Sequence, residues 1–299
     1  MSGAPGRFFG EKSETAPDAR GAPELLRVTA ESLPAARALL EAAPHLAMFP
    51  LGNLDRHGLD GDAPRAPMIW SDGAAVLAVT REGMVLPFGP AARAGAMVRV
   101  LAGRRVIGIA GSRAVARALQ RAAGLSGAPA KLDADEPQFL LSLDALRVPE
   151  GPGRLIPLAH APRAQMEGWR IAYDVEALGE AEDDARARGG AILEAYLAAD
   201  SHRVLMVGDE AVAMTGFNAT LPDIVQVGGV YTPPDLRGRG HARRAVALHL
   251  AEARARGVTR ATLFASGAAA VRTYAAIGFE RVGDWTLVLF TGEGVTVDG

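Results

Sequence analysis

The stretch from Ile224 to Gly257 constrains the fold more than any other part of the chain. Strand character over 224–231 runs through Thr232-Pro-Pro-Asp235 into Arg237-Gly-Arg-Gly240, and an amphipathic helix follows, read over 238–256 and closed by Gly257. A strand that turns through prolines and glycines directly into a helix is an α/β unit. Such a helix start offers unpaired backbone N–H groups and the positive end of the macrodipole, and glycines let a ligand's oxygens come close. Arg237, Arg239, Arg243 and Arg244 crowd the same place with His241. Cations there oppose the helix dipole, so the pattern asks for a negative, phosphorylated ligand.

The rest of the chain alternates short apolar runs with helical stretches, which predicts a mixed α/β protein. The first half reads as a strand at 26–29, a helix over 34–43 and strands at 68–70, 75–79 and 84–87. A helix over 91–101, a strand at 106–110, a helix over 113–123 and a strand at 139–143 follow. Arg147-Val-Pro-Glu-Gly-Pro-Gly153 has linker chemistry. Beyond it the second half reads as a strand at 154–157, helices over 162–178 and 182–199, and strands at 204–207 and 211–218. After the central strand and helix come a strand at 261–265, a helix over 268–277 and strands at 279–282 and 285–290. With 299 residues the expectation is a flexible tail at 1–23 and two domains, 24–148 and 153–299, that share an element order as a coarse internal repeat.

Composition closes several routes. No cysteine is present, which excludes disulfides, a thiol nucleophile and thiolate zinc. Lys12 and Lys131 are the only lysines, so a G-x-x-x-x-G-K-[ST] loop is absent and a Schiff-base lysine is almost excluded. A net charge of −2 gives no global pull toward nucleic acid or anionic lipid. No stretch suits a membrane span or a signal peptide, so a cytoplasmic location is expected. The six histidines lack metal-binding spacing, so no metal is expected, and His249 reads as a helix-packing residue. Gly108-Ile-Ala-Gly111 reads as a strand-to-helix turn, and Asn53, within Phe49-Pro-Leu-Gly-Asn-Leu54, as a loop or cap residue.

Arg237-Gly-Arg-Gly240-His-Ala242 fits [RQ]-x-x-G-x-[GA], and Tyr274-Ala-Ala-Ile-Gly278-Phe279 follows one helix and one strand later. In these two motifs the chain resembles the GCN5-related N-acetyltransferase (GNAT) superfamily. The resemblance implies that the amides of Gly238, Arg239, Gly240, His241, Ala242 and Arg243, with Arg237 at the head of the motif, hold the pyrophosphate of acetyl-CoA. It also implies that the backbone of Val230, Tyr231 and Thr232 pairs with the pantetheine arm, in a gap where the strand at 224–231 splays from that at 261–265. Tyr274 falls where the family commonly has a general acid. Two departures stand out. The asparagine expected seven residues before that tyrosine is Gly267, so one coenzyme contact is either lost or taken over by Ser266. The glutamate base often found on the long strand is replaced by Gln226, which leaves the base unassigned: either a water held by Gln226, Asn218 or Tyr231 serves, or the amine arrives already neutral. The implied architecture is α/β, two tandem GNAT-like domains, each a twisted mixed sheet flanked by helices. The implied activity is acetyl transfer from acetyl-CoA to a primary amine by direct attack in a ternary complex, without metal, nucleic acid or membrane. A non-catalytic acyl-CoA-binding module and transfer of a longer acyl group are the alternatives. The first half lacks the arginine-to-glycine spacing in Leu86-Pro-Phe-Gly-Pro-Ala-Ala-Arg-Ala-Gly-Ala96, so it is expected to bind no CoA and to wall the acceptor site or support a homodimer.

Overall fold

The computed structural model describes residues 24–298, and the tail expected over 1–23 lies outside the described residues. The first half runs β1 (Leu26–Arg27), α1 (Leu33–Glu41), α2 (Met48–His57), β2 (Pro67–Ser71), β3 (Val76–Thr80), β4 (Met84–Phe88), α3 (Ala94–Leu101), β5 (Arg105–Val106), β6 (Gly108–Ser112), α4 (Arg113–Ala122) and β7 (Ala130–Ser142). The second runs β8 (Arg154–Pro157), α5 (Arg163–Leu178), α6 (Glu182–Ala198), β9 (His202–Val207), β10 (Glu210–Thr220), β11 (Ile224–Tyr231), α7 (His241–Ala255), β12 (Arg260–Phe264), α8 (Gly267–Ala275), β13 (Glu280–Phe290) and β14 (Val295–Thr296). Apart from β5 and β14, which pair with each other, both halves have the order β, α, α, β, β, β, α, β, α, β.

The remaining strands form one 12-stranded sheet in the order β1-β2-β3-β4-β6-β13-β7-β12-β11-β10-β9-β8. The halves exchange their last strands: β13 of the second lies against β6 of the first, and β7 of the first lies against β12 of the second. β7 and β13 then pair with each other at the centre. Only β4–β6 and β11–β12 are parallel among these pairs. The linker chemistry at 147–153 carries the chain from the centre of the sheet to its far edge at β8, while the sheet runs unbroken from one half into the other.

Alternation along the strands assigns their faces. On β9, Val204 and Met206 pack with Met166 and Trp169 of α5 and Leu193 of α6, whereas Leu205 packs on the opposite side with Ala245 of α7. Caps and dipoles suit the helices: Glu182, Asp183 and Asp184 open α6, and α5 stops at Gly179 in the left-handed region.

Three segments differ from expectation. The segment predicted as a loop around Asn53 is helix α2, with Met48, Leu51 and Leu54 buried along one face. Pro50 falls in its first turn, where the N–H that proline lacks has no helical partner anyway. Gly52 lets the helix approach β10, because a Cβ there would lie 3.3 Å from the Ala219 Cβ. The strand predicted at 139–143 starts at Ala130; its acidic first part pairs with α4, Asp135 with Arg113 (2.8 Å) and Arg117 (2.8 Å). The two strands predicted at 279–282 and 285–290 are one, β13, with a register shift between Arg281 and Gly283.

Candidate functional site

The glycine-rich turn forms where β11 ends. Gly238 (φ 77°) and Gly240 (φ 82°) are left-handed, so α7 starts at His241 rather than at Gly238 as predicted. The first bond of that helix is Arg244 N–H to the Gly240 carbonyl at 3.0 Å. The N–H groups of Gly238, Arg239, Gly240, His241, Ala242 and Arg243 precede it, and none of them donates to a backbone acceptor among the described residues. These residues line a groove of about 440 Å³, closed on the other side by Ala269, Arg272 and Thr273 of α8.

The arginines of the motif differ in what they hold. Arg237 donates from Nε to the Thr232 carbonyl (2.9 Å) and pairs with Glu176 of α5 (2.6 Å), so it braces the strand end against α5. Arg239 donates to the Asp235 carbonyl at 3.0 Å. Arg244 clasps the linker through the carbonyls of Pro152 (3.0 Å) and Pro149. Arg243 is different: its Nε is buried and has no hydrogen-bond partner among the described residues. A row of free N–H groups beside an arginine whose Nε is unused fits a pyrophosphate, whose oxygens accept many short bonds. The residues present therefore suit the CoA moiety that the motif implies. Arg272 and Glu176 were not legible in the sequence, since neither belongs to a local pattern.

Beside the groove the sheet opens. β11 and β12 pair only from Ile224–Arg260 to Gln226–Thr262, and beyond Gln226 the ladder ends. A bulge on β11 accompanies the break: Tyr231 opposes Met214 but Gly228 opposes Gly216, and Gly229 takes φ 61°. Asn218 and His202 crowd this bulge, since a Cβ on Gly228 would meet Asn218 Nδ2 at 1.9 Å and one on Gly216 would meet His202 Nε2 at 2.1 Å. On the β12 side Val230 and Tyr231 have no ladder partner, and the buried Thr232 Oγ1 has no hydrogen-bond partner among the described residues. The Tyr231 ring lies against Trp169 (5.9 Å) and its hydroxyl donates to Glu176 at 3.4 Å. Gln226 is buried; its amide donates to the Val227 carbonyl (2.7 Å) and its Oε1 has no partner. Asn218 is exposed.

Tyr274, near the end of α8, is 8% exposed and meets the Phe279 ring edge-on at 6.0 Å. Burial raises its pKa well above the usual phenol value, and nearby Tyr173 and Glu136 push the same way. Tyr173 on α5 is pushed up to about 12, chiefly by burial and then by Tyr196. Behind it Arg170 and Asp174 form a buried ion pair, with the Arg170 guanidinium over the rings of Tyr173 (5.0 Å) and Tyr196 (5.5 Å). Ser266, expected to substitute for a missing coenzyme contact, lies within hydrogen-bonding reach of Glu136. Among the described residues no group of three or more metal-ligating side chains is arranged around a common point.

The corresponding turn of the first half is filled. Gly89 packs on the β2–β3 turn so closely that a Cβ would lie 2.9 Å from the Ala74 carbonyl oxygen, and Arg93 is pinned to Asp72 at 2.6 Å.

Residues 165–279 match the model of the Acetyltransferase (GNAT) family. Among solved structures, a GCN5-related N-acetyltransferase from Kribbella flavida is 16% identical, with TM-score 0.53, covering 86% of this chain and 96% of its own. A Drosophila protein is 12% identical with TM-score 0.58, covering 90% and 99%. A fungal GCN5-related glucosamine N-acetyltransferase region, part of a multi-domain β-N-acetylglucosaminidase, is 14% identical with TM-score 0.50, covering 92% of this chain and 39% of its own. No curated protein matches the chain. The likenesses extend the fold over both halves, while the motif, the free amides and the opened strands all lie in the second. The match to the acetyltransferase (GNAT) family therefore lies wholly within the second half, at residues 165–279.

Proposed function

We propose that the chain transfers an acetyl group from acetyl-CoA to a primary amine, with both bound at once. The match to the family over residues 165–279 implies acyl transfer from an acyl-CoA; the acetyl group and the amine are the proposal. The observation that carries it is the run of free N–H groups from Gly238 to Arg243 opening onto a groove beside the point where β11 leaves β12. In this reading those amides and Arg243 hold the pyrophosphate, and the backbone of Val230, Tyr231 and Thr232 takes the pantetheine arm as an added strand. An N–H at Val230 or Tyr231 polarises the carbonyl, and Tyr274, kept protonated by burial, gives its proton to the departing sulfur. Holding amine and thioester together supplies much of the rate. The first half walls the acceptor side or supports a homodimer and binds no CoA. We place the protein in the cytoplasm, without nucleic-acid partners; among the described residues no helix is long and apolar enough to cross a membrane.

The test is CoA release across glucosamine, spermidine, phenethylamine and a peptide with a free N-terminus. Release is expected with at least one amine, and Tyr274→Phe is expected to lower kcat about 100-fold while CoA still raises the melting temperature. Undiminished turnover in that variant removes Tyr274 from the mechanism. Gln226, which cannot accept a proton, favours a second reading: an acyl-CoA-binding module without turnover. Stabilisation by CoA with no release from any amine would select it. Stronger stabilisation by succinyl-CoA or a longer acyl-CoA than by acetyl-CoA would select transfer of that group.

A further inference from the structure

We infer that Glu136, on the strand that the first half lends to the second, takes the proton from the acceptor ammonium, so that the transfer site is built by both halves; this rests on the acetyl transfer proposed above. β11 offers Gln226 where a carboxylate would be needed, and Gln226 spends its amide on the Val227 carbonyl. β7 supplies the missing acid. It lies between β12 and β13, with Gln138 opposite Phe264 and Glu136 opposite Trp285. The Ala265 N–H donates to the Pro137 carbonyl at 3.1 Å, which sets Glu136 level with the point where the chain leaves β12 for α8.

The register also fixes its face. Leu140, Thr262 and Gln226 stand in one row across β7, β12 and β11. Glu136 and Gln138 continue that face of β7 toward the opened end of the sheet. Glu136 is half-buried, and the side chains it interacts with, Ser266, Tyr173 and Tyr274, all belong to the second half. The other acids of β7 are paired, Asp133 with Arg117 and Asp135 with Arg113 and Arg117, whereas Glu136 makes no ion pair among the described residues. Its environment is apolar on the sheet side, where Phe264 and Trp285 stack at 4.5 Å. Burial raises its pKa above the usual carboxylate value, which brings it closer to an amine's and makes it a better base.

The step balances without another reactant. One N–H bond of the ammonium breaks, its electron pair stays on nitrogen, and an O–H bond forms on Glu136. The nitrogen then bonds to the acyl carbon as the carbon–sulfur bond breaks. Tyr274 gives its proton to sulfur and recovers one from the nitrogen, and Glu136 returns its proton to water when the product leaves. The negative charge of Glu136 helps hold the Tyr274 proton, so protonating Glu136 makes Tyr274 the readier donor at the moment it is needed.

The groups that interact electrostatically with Glu136 are Tyr173 on α5, Tyr274 on α8 and Ser266 in the turn between β12 and α8, with Arg170, Asp174 and Tyr196 interacting in turn with Tyr173. Glu136→Gln is assayed with the panel amine that gives the fastest release. Expected is a loss of about 100-fold in kcat, disappearance of the acid limb of the kcat/KM pH profile, partial recovery in Glu136→Asp and unchanged thermal stabilisation by CoA. A kcat within about twofold of the parent overturns the proposal. Ser266→Ala removes the hydroxyl that favours the charged carboxylate and is expected to move the acid limb to higher pH; an unmoved limb overturns it as well. A carbon-13 titration of the carboxyl, assigned by its loss in Glu136→Gln, reads the same group without turnover and is expected above the ordinary glutamate range. Failure of CoA to stabilise the parent protein is a separate result, which sinks the acyl-transfer reading and leaves the titration of Glu136 untouched.

Discussion

His202 and His249 are ionisable rings packed where a charge has no solvent to meet it, at 0% and 1% exposure. His202 stacks on Tyr196 at 3.5 Å with Nδ1 at 2.9 Å from the Ser201 hydroxyl, and His249 stacks on Phe217 at 3.8 Å. Burial first, then Arg170 and Arg203, push His202 down to about 3; burial and then Arg203 lower His249. Both pKa values lie below the unfolded reference, so the unfolded chain binds more protons. The stabilising preference for the neutral ring is complete above pH 6.5 and is lost as the pH falls toward 3. At pH 5 the loss for His202 is about 2 kcal/mol. The urea midpoint should fall between pH 7.5 and pH 5, before most carboxylates titrate, and His249→Phe, which keeps a ring on Phe217, should shrink that fall. An equal fall in parent and variant would mean that His249 does not titrate on unfolding in this range. At this scale the sequence conveyed residue type but not partner: His249 reads correctly as a packing residue, yet nothing local distinguishes Arg237, held by Glu176, from Arg243, whose Nε has no partner.

The turn from β11 into α7 was legible as an element because its signals are local. Prolines stiffen the exit from the strand, and the glycines mark where the backbone must become left-handed. Only the helix start was misplaced, since Gly238 and Gly240 lie in the turn that precedes it. α2 and the first part of β7 were not legible, because Pro50 and Gly52 imitate a loop and the acids of β7 are answered by arginines on another helix. The conformational claim for the turn can be tested at Gly240. A Cβ there meets only the Arg243 guanidinium, at 3.4 Å, so space is available and the penalty is in φ. Gly240→Ala should strain the turn by about 1–2 kcal/mol and move the N–H groups of Gly240 and His241. We expect calorimetry to show CoA affinity reduced about tenfold with a small change in melting temperature; unchanged affinity would rule out a role for the left-handed turn in binding.

On the scale of the molecule, the repeated element order was readable while the exchange of strands was not, because alternation identifies a strand's face and not its partner. The exchange decides how the two halves depend on each other. Phe139 and Leu141 of β7 are buried with Val246, Leu250 and Leu263 of the second half, and Val288 and Phe290 of β13 are buried with Leu77, Ile109 and Leu119 of the first. Each large side chain contributes about 2 kcal/mol by burial, and separating the halves would expose all of them along two newly opened strand edges. Neither half should therefore fold alone, although the covalent link between them is dispensable. A protease site placed between Glu150 and Gly151 checks both statements, since that segment is exposed and is held by Arg244 through carbonyls on either side, Pro149 and Pro152. After cleavage the fragments should co-elute in size exclusion, and CoA should still raise their melting temperature. Residues 153–299 expressed alone should be insoluble or self-associate through the uncovered edge of β12. A soluble, monomeric fragment that CoA stabilises as it does the whole chain would show that the exchanged strand is not needed to build the cradle.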